Sequence, residues 1–192
     1  MWPDWVSETP NHIWIYDTTH WTKSVSATTV VSDVISKKWI ADITSTEETS
    51  IQVQAVFARA LRDEGFNDVI AELNATIVPV DIDDDRRPIL LVMSDNGPQM
   101  TSGSTREFMA LNWLATHYGR PHTPTDQAWI ESFFGHLKTE HPHLELIADI
   151  DVLRAELEYR RTHYNTVRLH ADHSTSNHPT RPPPPRSGQV PP

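Results

Sequence analysis

Three acidic residues have the types and the spacing to carry out chemistry together. Asp17 follows the aromatic run HIWIY, Asp95 follows the apolar run ILLVMS, and Glu131 lies in an amphipathic stretch, with 35 residues between Asp95 and Glu131. A strand, a strand end and a helix can bring three carboxylates around two divalent cations, which prefer oxygen ligands. A site of that kind carries out phosphoryl transfer, and nucleic acid is the substrate that we expect.

The first third of the chain predicts three strands and a helix. Segments 12–17, 27–35 and 37–44 are rich in residues that favour strands, and the short links between them indicate an antiparallel meander. The first of these strands should end near Asp17. Apolar residues then recur at helical intervals over 51–61, with capping residues before them and a glycine, Gly65, as the stop.

The second half predicts one more strand and three helices. Residues 74–88 indicate a loop, and the continuous apolar run 88–95 is typical of a parallel strand that is covered on both faces. Helical patterns follow over about 104–119, 126–140 and 149–167. Together these elements predict an α/β fold around a mixed sheet, whose later strand lies parallel beside the first.

The domain organisation follows from composition. Residues 1–11 form a lead-in, residues 12–170 hold the predicted domain, and residues 171–192 are rich in proline. A segment of that composition is expected to be disordered or to form polyproline helix.

Glu131 can be placed by the geometry of its predicted helix. At about 100° per residue, Glu131 lies at the edge of an apolar stripe, and Gln127 and Lys138 fall within about 40° of it. The stripe consists of Ile130, Phe133, Phe134 and Leu137. Gly135 leaves the same face open. The alternative is an ordinary solvated helix glutamate.

Both aspartates also have plainer explanations. Asp95 precedes a turn-forming Asn-Gly-Pro sequence and could cap that turn. Asp17 could face water at a strand end, although a buried, unpaired charge in a strand would need a metal or a hydrogen-bonded partner. Asp42 lies in a similar segment, but choosing it would leave no room for two further strands before the helix near Ser50. We therefore select Asp17.

Composition excludes several classes of protein. The chain has 192 residues, 38% of them apolar, and no cysteine, so it has no disulfide framework and no thiolate site. Its eleven histidines show no zinc-binding spacing. The sequence contains no run of about 18 apolar residues of the kind that spans a membrane, and we expect no secretory signal. We expect a cytoplasmic, nucleoid-associated protein without a membrane partner.

The charge of the chain is unusual for a protein that acts on DNA. It has 16 Lys and Arg against 26 Asp and Glu, which gives a net charge of −10. DNA-binding proteins usually present a basic face to the phosphates. Either another part holds the DNA, or this chain binds DNA poorly.

Four segments of the chain resemble a known family. DTTH, SDNGPQMTS, GRPHTPTDQAWIESFFGHLKTE and YNTVRLH look like the integrase core of DDE transposases. The closest match is the bacterial insertion-sequence-three group, which is related to retroviral integrases. The resemblance covers about Ile13 to His170.

The resemblance implies a ribonuclease-H-like fold with a mixed five-stranded sheet flanked by helices. It further implies that Asp17, Asp95 and Glu131 are catalytic and hold two Mg²⁺ ions, for which Mn²⁺ can substitute. The implied activity is cleavage at DNA 3′ ends followed by strand transfer into target DNA. The implied partners are the element ends, the target DNA and further copies of the chain.

Four residues are predicted to contact DNA in such a protein: Asn96, Gln127, Lys138 and Arg168. Lys138 could equally be solvated, and Arg168 could instead pack the last helix against the sheet. Full-length relatives have an N-terminal helix-turn-helix region, and we expect this chain to lack one. The alternatives are a non-catalytic remnant that binds DNA or an intact transposase, and a ribonuclease-H-like nuclease without integration activity.

Overall fold

A mixed sheet forms the centre of the protein. The computed structural model describes residues 3–75, 87–95, 97–118 and 128–168, apart from the side chains of residues 100, 118 and 168. Within these ranges the strands are β1 (Ile13–Trp21), β2 (Ser26–Asp33), β3 (Trp39–Ser45), β4 (Leu90–Ser94) and β5 (Leu114–Tyr118). They lie in the order β3-β2-β1-β4-β5. β1, β2 and β3 form an antiparallel meander, and β4 and β5 run parallel to β1.

Helices cover both faces of the sheet. Those within the described ranges are α1 (Ser50–Asp63), α2 (Asn67–Ala75), α3 (Pro98–Thr101), α4 (Gly103–Leu111), α5 (Ala128–Glu140) and α6 (Ile150–His163). A 3₁₀ helix (Pro142–Leu146) joins α5 to α6, and a π-helical turn (Tyr164–Arg168) continues α6. None of the helices in this described part is long and apolar enough to cross a membrane.

Two apolar cores form because successive side chains of a strand point to opposite faces. Trp14 and Tyr16 of β1 pack with α1, α2 and α4 on one face. Ile13 and Ile15 pack with α5, α6 and the 3₁₀ helix on the other. The sheet is therefore covered on both sides, as expected of a parallel α/β arrangement. These findings confirm the predicted fold class.

Arginines cover the main-chain oxygens along the outer edge of β3. Three alternate carbonyls each accept a hydrogen bond: Ile40 O from Arg161 at 2.6 Å, Asp42 O from Arg59 at 3.2 Å, and Thr44 O from Arg154 at 2.8 Å. Arg59 comes from α1 and the other two from α6, so helices on both faces reach around the same edge.

One predicted helix is partly wrong. The pattern over 104–119 predicts a single helix, but α4 ends at Leu111 and residues 114–118 form β5. Trp113 has a left-handed backbone (φ 59°), which reverses the chain after α4. The following residues then pair with β4, so that main-chain pairing and burial of Leu114 override the helical spacing.

Other boundaries also differ from the sequence prediction. β1 runs on to Trp21 rather than ending near Asp17, because its later half pairs with β2. The predicted loop 74–88 begins inside α2, a helix that the sequence pattern missed, and residues 76–86 lie outside the described ranges. The predicted first helix is confirmed: α1 begins after a capping box and is followed by Gly65 at a φ of 78°.

Candidate active site

Asp17 and Asp95 occupy adjacent positions on two neighbouring parallel strands. β1 pairs with β4 through Ile13–Leu91, Trp14–Val92 and Ile15–Met93. The same register, continued by two residues, brings Asp17 opposite Asp95, just beyond the end of β4. Carboxyl ends of parallel strands in α/β sheets are where ligands gather.

Glu131 reaches this place from the helix that covers the same face. Alternation along β1 puts Asp17 on the side of Ile13 and Ile15, which pack in one core with Ile130 of α5. Glu131 follows Ile130 in the first turn of α5 and is exposed. The four residues of the predicted apolar stripe are all buried, which confirms the helix geometry that placed Glu131 at its edge.

Asp95 and Glu131 lie near enough to Asp17 for their charges to affect its pKa. The pKa of Asp17 is raised from its ordinary value of 3.8 to about 6, mainly by burial, and the negative charges of Asp95 and Glu131 contribute to this rise. A hydrogen bond from the Thr18 N–H and the charge of His20 act in the opposite direction. Asp17 is thus a partly buried carboxylate with acidic neighbours, not a strand-end residue that faces bulk water.

Each aspartate also accepts a hydrogen bond from the main chain. The Thr18 N–H donates to Asp17 Oδ1 at 2.8 Å, and the Gly97 N–H donates to Asp95 Oδ1 at 2.9 Å. The second contact is the turn cap that the sequence analysis gave as the alternative explanation for Asp95. It fixes one carboxylate oxygen and so orients the group as well as closing the turn.

Lys138 is held by contacts within the protein. Its Nζ lies 2.7 Å from Glu145 Oε1, donates to the His20 carbonyl at 2.8 Å, and stands 4.8 Å from the centre of the Trp21 ring. The sequence reasoning did not predict these partners. A contact between Lys138 and DNA phosphate stays a prediction.

The remaining predicted DNA contacts cannot be placed on the site. Asn96 and Gln127 lie outside the described residues, and only the backbone of Arg168 is described. Its neighbour Asn165 has a defined structural role: its side chain accepts from the Trp39 N–H at 3.0 Å and donates to the Trp39 carbonyl at 2.7 Å. Within the YNTVR segment, Asn165 therefore links the turn after α6 to β3 by these two hydrogen bonds.

Asp42 has the surroundings of a structural residue. Its Oδ1 lies 3.3 Å from Arg161 Nε, without the alignment of a hydrogen bond. Burial raises the pKa of Asp42 to about 6, although the charges of Arg161 and Arg59 lower it. The charges of Arg161 and Arg59 affect the pKa of Asp42 more strongly than the charge of Glu158, the one carboxylate among these neighbours. This supports the choice of Asp17 over Asp42.

His20 is a neighbour of the site that sequence reasoning missed. Its charge lowers the pKa of Asp17, and its Nε2 lies 2.6 Å from Glu48 Oε1. The DTTH segment holds the signal, but the strand was expected to end near Asp17, so His20 was not assigned to it. β1 in fact carries both residues.

The donor set fits a hard divalent cation. Among the described residues, no group of three or more His, Asp or Glu side chains stands close enough, as placed, to hold a metal ion. Three carboxylates are nevertheless oxygen ligands of the kind that Mg²⁺ takes. Burial is the main cause of the raised pKa of Asp17, and the repulsion from Asp95 and Glu131 that adds to it is what a bound cation would relieve.

Part of the chain matches a family model. Residues 113–175 match the model of the integrase core domain, a segment that includes β5, α5 and α6. This is about a third of the chain. No curated protein sequence matches the chain.

Solved structures of retroviral integrases share the fold. The catalytic core domain of BIV integrase matches 86% of this chain and 98% of its own length, with 19% identity and a TM-score of 0.57. A simian T-cell lymphotropic virus intasome chain, in complex with the PP2A regulatory subunit B56 gamma, matches 96% of this chain and 61% of its own length, with 20% identity and a TM-score of 0.60.

A third structure is that of the HTLV-2 integrase catalytic core domain in complex with magnesium, in its dimeric form. It matches 82% of this chain and 88% of its own length, with 19% identity and a TM-score of 0.55. The fold of this chain is therefore the ribonuclease-H-like fold of integrase catalytic cores.

Proposed function

We propose that this chain, which has the fold of retroviral integrase catalytic cores, is the catalytic core of a DNA transposase or integrase. It would cleave DNA at 3′ ends and transfer the strands to target DNA. The observation that carries the proposal is the register of β1 and β4, which brings Asp17 beside Asp95, together with the effect that the charges of Asp95 and Glu131 have on the pKa of Asp17. The insertion-sequence-three group is the source that we propose.

Asp17, Asp95 and Glu131 are the residues that would hold the metal. Two Mg²⁺ ions held there would activate a water molecule or a DNA 3′ hydroxyl as the nucleophile and would stabilise the leaving oxygen. The HTLV-2 core, described in complex with magnesium, supports this assignment. Mn²⁺ would substitute, because it also prefers oxygen ligands.

The protein's own contribution is to hold these carboxylates in place. The Thr18 and Gly97 N–H groups fix one oxygen on each aspartate, which leaves the direction of the second oxygen defined by the backbone. Glu131 approaches from α5, whose buried stripe anchors the helix to the sheet. Preorganised charge of this kind is what phosphoryl transfer requires.

DNA and further copies of the chain are the proposed partners. Asn96, Gln127, Lys138 and Arg168 are the proposed DNA contacts, and the intasome and dimeric structures of related fold support binding to DNA and assembly into oligomers. With a net charge of −10, the chain would depend on a few local cations for phosphate contact.

Nicking of supercoiled plasmid and strand transfer of an end-labelled duplex test the proposal. The wild-type chain should act only with Mg²⁺ or Mn²⁺, and Asp17→Asn, Asp95→Asn and Glu131→Gln should each lose at least about 100-fold in rate. Asp42→Asn is the matched control and should keep the metal response. Activity that survives Asp95→Asn and Glu131→Gln would rule out the assignment.

The same assay separates the alternatives. Cleavage of an RNA–DNA hybrid without strand transfer would identify a ribonuclease-H-like nuclease. Binding to DNA without any metal-dependent product would identify a non-catalytic remnant.

A further inference from the structure

We propose that Lys138 is a positioning residue that holds α5 against the later half of β1 and so sets the separation of Glu131 from Asp17. The inference rests on the proposed function, because it assigns a role within that site. It differs from the DNA contact that the sequence predicts for Lys138.

The contacts of Lys138 join the two elements that carry these carboxylates. On α5, Lys138 lies seven residues after Glu131, which is about two turns along the same face. On β1, the carbonyl that accepts from Lys138 belongs to His20, three residues after Asp17. Because a helix and a paired strand are each stiff, one bond between them restricts how far Glu131 can move from Asp17.

The ammonium group has three donors, and two of its partners are identified. The His20 carbonyl takes one at 2.8 Å and Glu145 takes another at 2.7 Å. The buried Trp21 ring adds a cation–π contact from the same strand. A phosphate oxygen would have to compete with Glu145 for this ammonium. The geometry thus supports a bridge within the protein when no DNA is bound.

The bridge continues at both ends into neighbouring elements. Glu145 belongs to the 3₁₀ helix that leads to α6. The imidazole of His20 pairs with Glu48, just before α1. The later half of β1 is therefore tied to segments on both sides of the sheet, and Lys138 provides the tie to α5.

The role is tested directly by measuring the binding of Mn²⁺ to the DNA-free chain with electron paramagnetic resonance. Lys138→Met removes the ammonium and keeps an apolar stem beside Trp21. We expect Lys138→Met to bind Mn²⁺ about 10-fold more weakly, as when a supporting contact of a metal ligand is lost. Lys138→Arg, which can still donate to the His20 carbonyl, should stay within about threefold of wild type by the same comparison.

Glu145→Gln is the matched control. It removes the ion pair but leaves the bond from Lys138 to His20, so Mn²⁺ affinity should remain close to that of wild type. The salt dependence of DNA binding supplies the opposing measurement, because loss of a phosphate contact reduces the slope of log affinity against log salt by about 1. Lys138→Met with unchanged Mn²⁺ affinity and a reduced slope would overturn the proposal.

Hydrogen exchange separates failure of this inference from failure of the proposed function. If the wild-type chain binds no Mn²⁺, the proposed function fails, but the bridge still predicts about 10-fold faster exchange of the β1 amides at residues 19–21 in Lys138→Met, about 1.4 kcal/mol of local stability. Unchanged exchange there would contradict the bridge. Lys138 lies outside both apolar cores, and Lys138→Gln is the second variant should Lys138→Met not fold.

Discussion

At the scale of single residues, Asp17 and Asp42 have similar sequence surroundings and different neighbours. Burial raises the pKa of both to about 6. The charges of two further carboxylates add to the rise for Asp17, whereas the charges of Arg161 and Arg59 oppose it for Asp42. The sequence favoured Asp17 because the residues after Asp42 are too few to form two further strands before the helix near Ser50. It could not supply the charges around them, since these come from other elements that the fold brings close.

Asp17 should weaken the metal-free fold at neutral pH. Its folded-state pKa of about 6 lies above the ordinary 3.8, so the folded protein holds a proton over a pH range in which the unfolded chain has released it. Stability therefore falls as pH rises from about 4 to 6. Asp17→Asn should raise the free energy of unfolding at pH 7.5 by about 1–2 kcal/mol, with allowance for the partial exposure of the side chain.

Urea unfolding at pH 7.5 and pH 4.5, with a chelator present, measures this effect. The gain should shrink as pH falls through 6 and largely vanish near 4. A gain that is equal at both pH values would show that Asp17 does not titrate in this range.

Gly135 offers a second test on the face of α5 that carries Glu131. A methyl group built there meets no atom within 4 Å, and the backbone is helical. Gly135→Ala should therefore stabilise the protein by about 0.5–1 kcal/mol, because alanine loses less conformational freedom in a helix. Thermal unfolding measures the change. A decrease in stability would mean that this face is packed rather than open.

At the scale of elements, periodicity predicted well where one face of an element is buried and the other is not. It placed α1 and α5, whereas β4, which is buried on both faces, was placed by its continuous apolar run. It failed for β5, because the residues from Leu114 to Tyr118 read as a continuation of a helix. Pairing with β4 decides their structure, and no local pattern records which strand a segment will meet.

The π-helical turn after α6 has a testable role. Asn165 satisfies both main-chain groups of Trp39, at the start of the edge strand β3. Asn165→Ala would leave these buried groups unpaired, and we expect a loss of about 1–3 kcal/mol in unfolding free energy.

Thr166→Ala provides the control, because Thr166 is exposed and its hydroxyl donates to the carbonyls of Thr162 and His163 in its own helix. It should change stability by less than about 0.5 kcal/mol. Equal losses for the two variants would indicate a general weakening of the turn rather than a role for the Asn165 amide. Chemical denaturation measures both variants.

At the scale of the whole molecule, the domain boundaries are still a prediction. Both apolar cores draw on residues between Val6 and Tyr164. A chain that ends at residue 170 should therefore unfold within about 2 °C of the full chain, since no core contact of the described residues is removed. Differential scanning calorimetry measures the midpoint. A fall of more than about 5 °C would extend the domain into the proline-rich segment.

The net charge of −10 was available from the sequence, but its distribution was not. Many of the cations that the structure describes are already paired with carboxylates, among them Lys138 with Glu145 and Arg160 with Glu156. Charge counted along the chain therefore overstates the number of cations that DNA could use. This strengthens the expectation that the isolated chain binds DNA weakly and loses binding quickly as salt rises.

The arginines along β3 have a consequence for how copies of the protein can associate. A bare edge strand invites a strand from another molecule to add to the sheet, which is a common route to fibres and to exchanged dimers. Here the oxygens that such a strand would need at this edge already bind guanidinium groups. Arginine keeps its proton at any pH at which proteins fold. This protection against sheet extension does not depend on pH, and we expect any assembly of copies to use other surfaces.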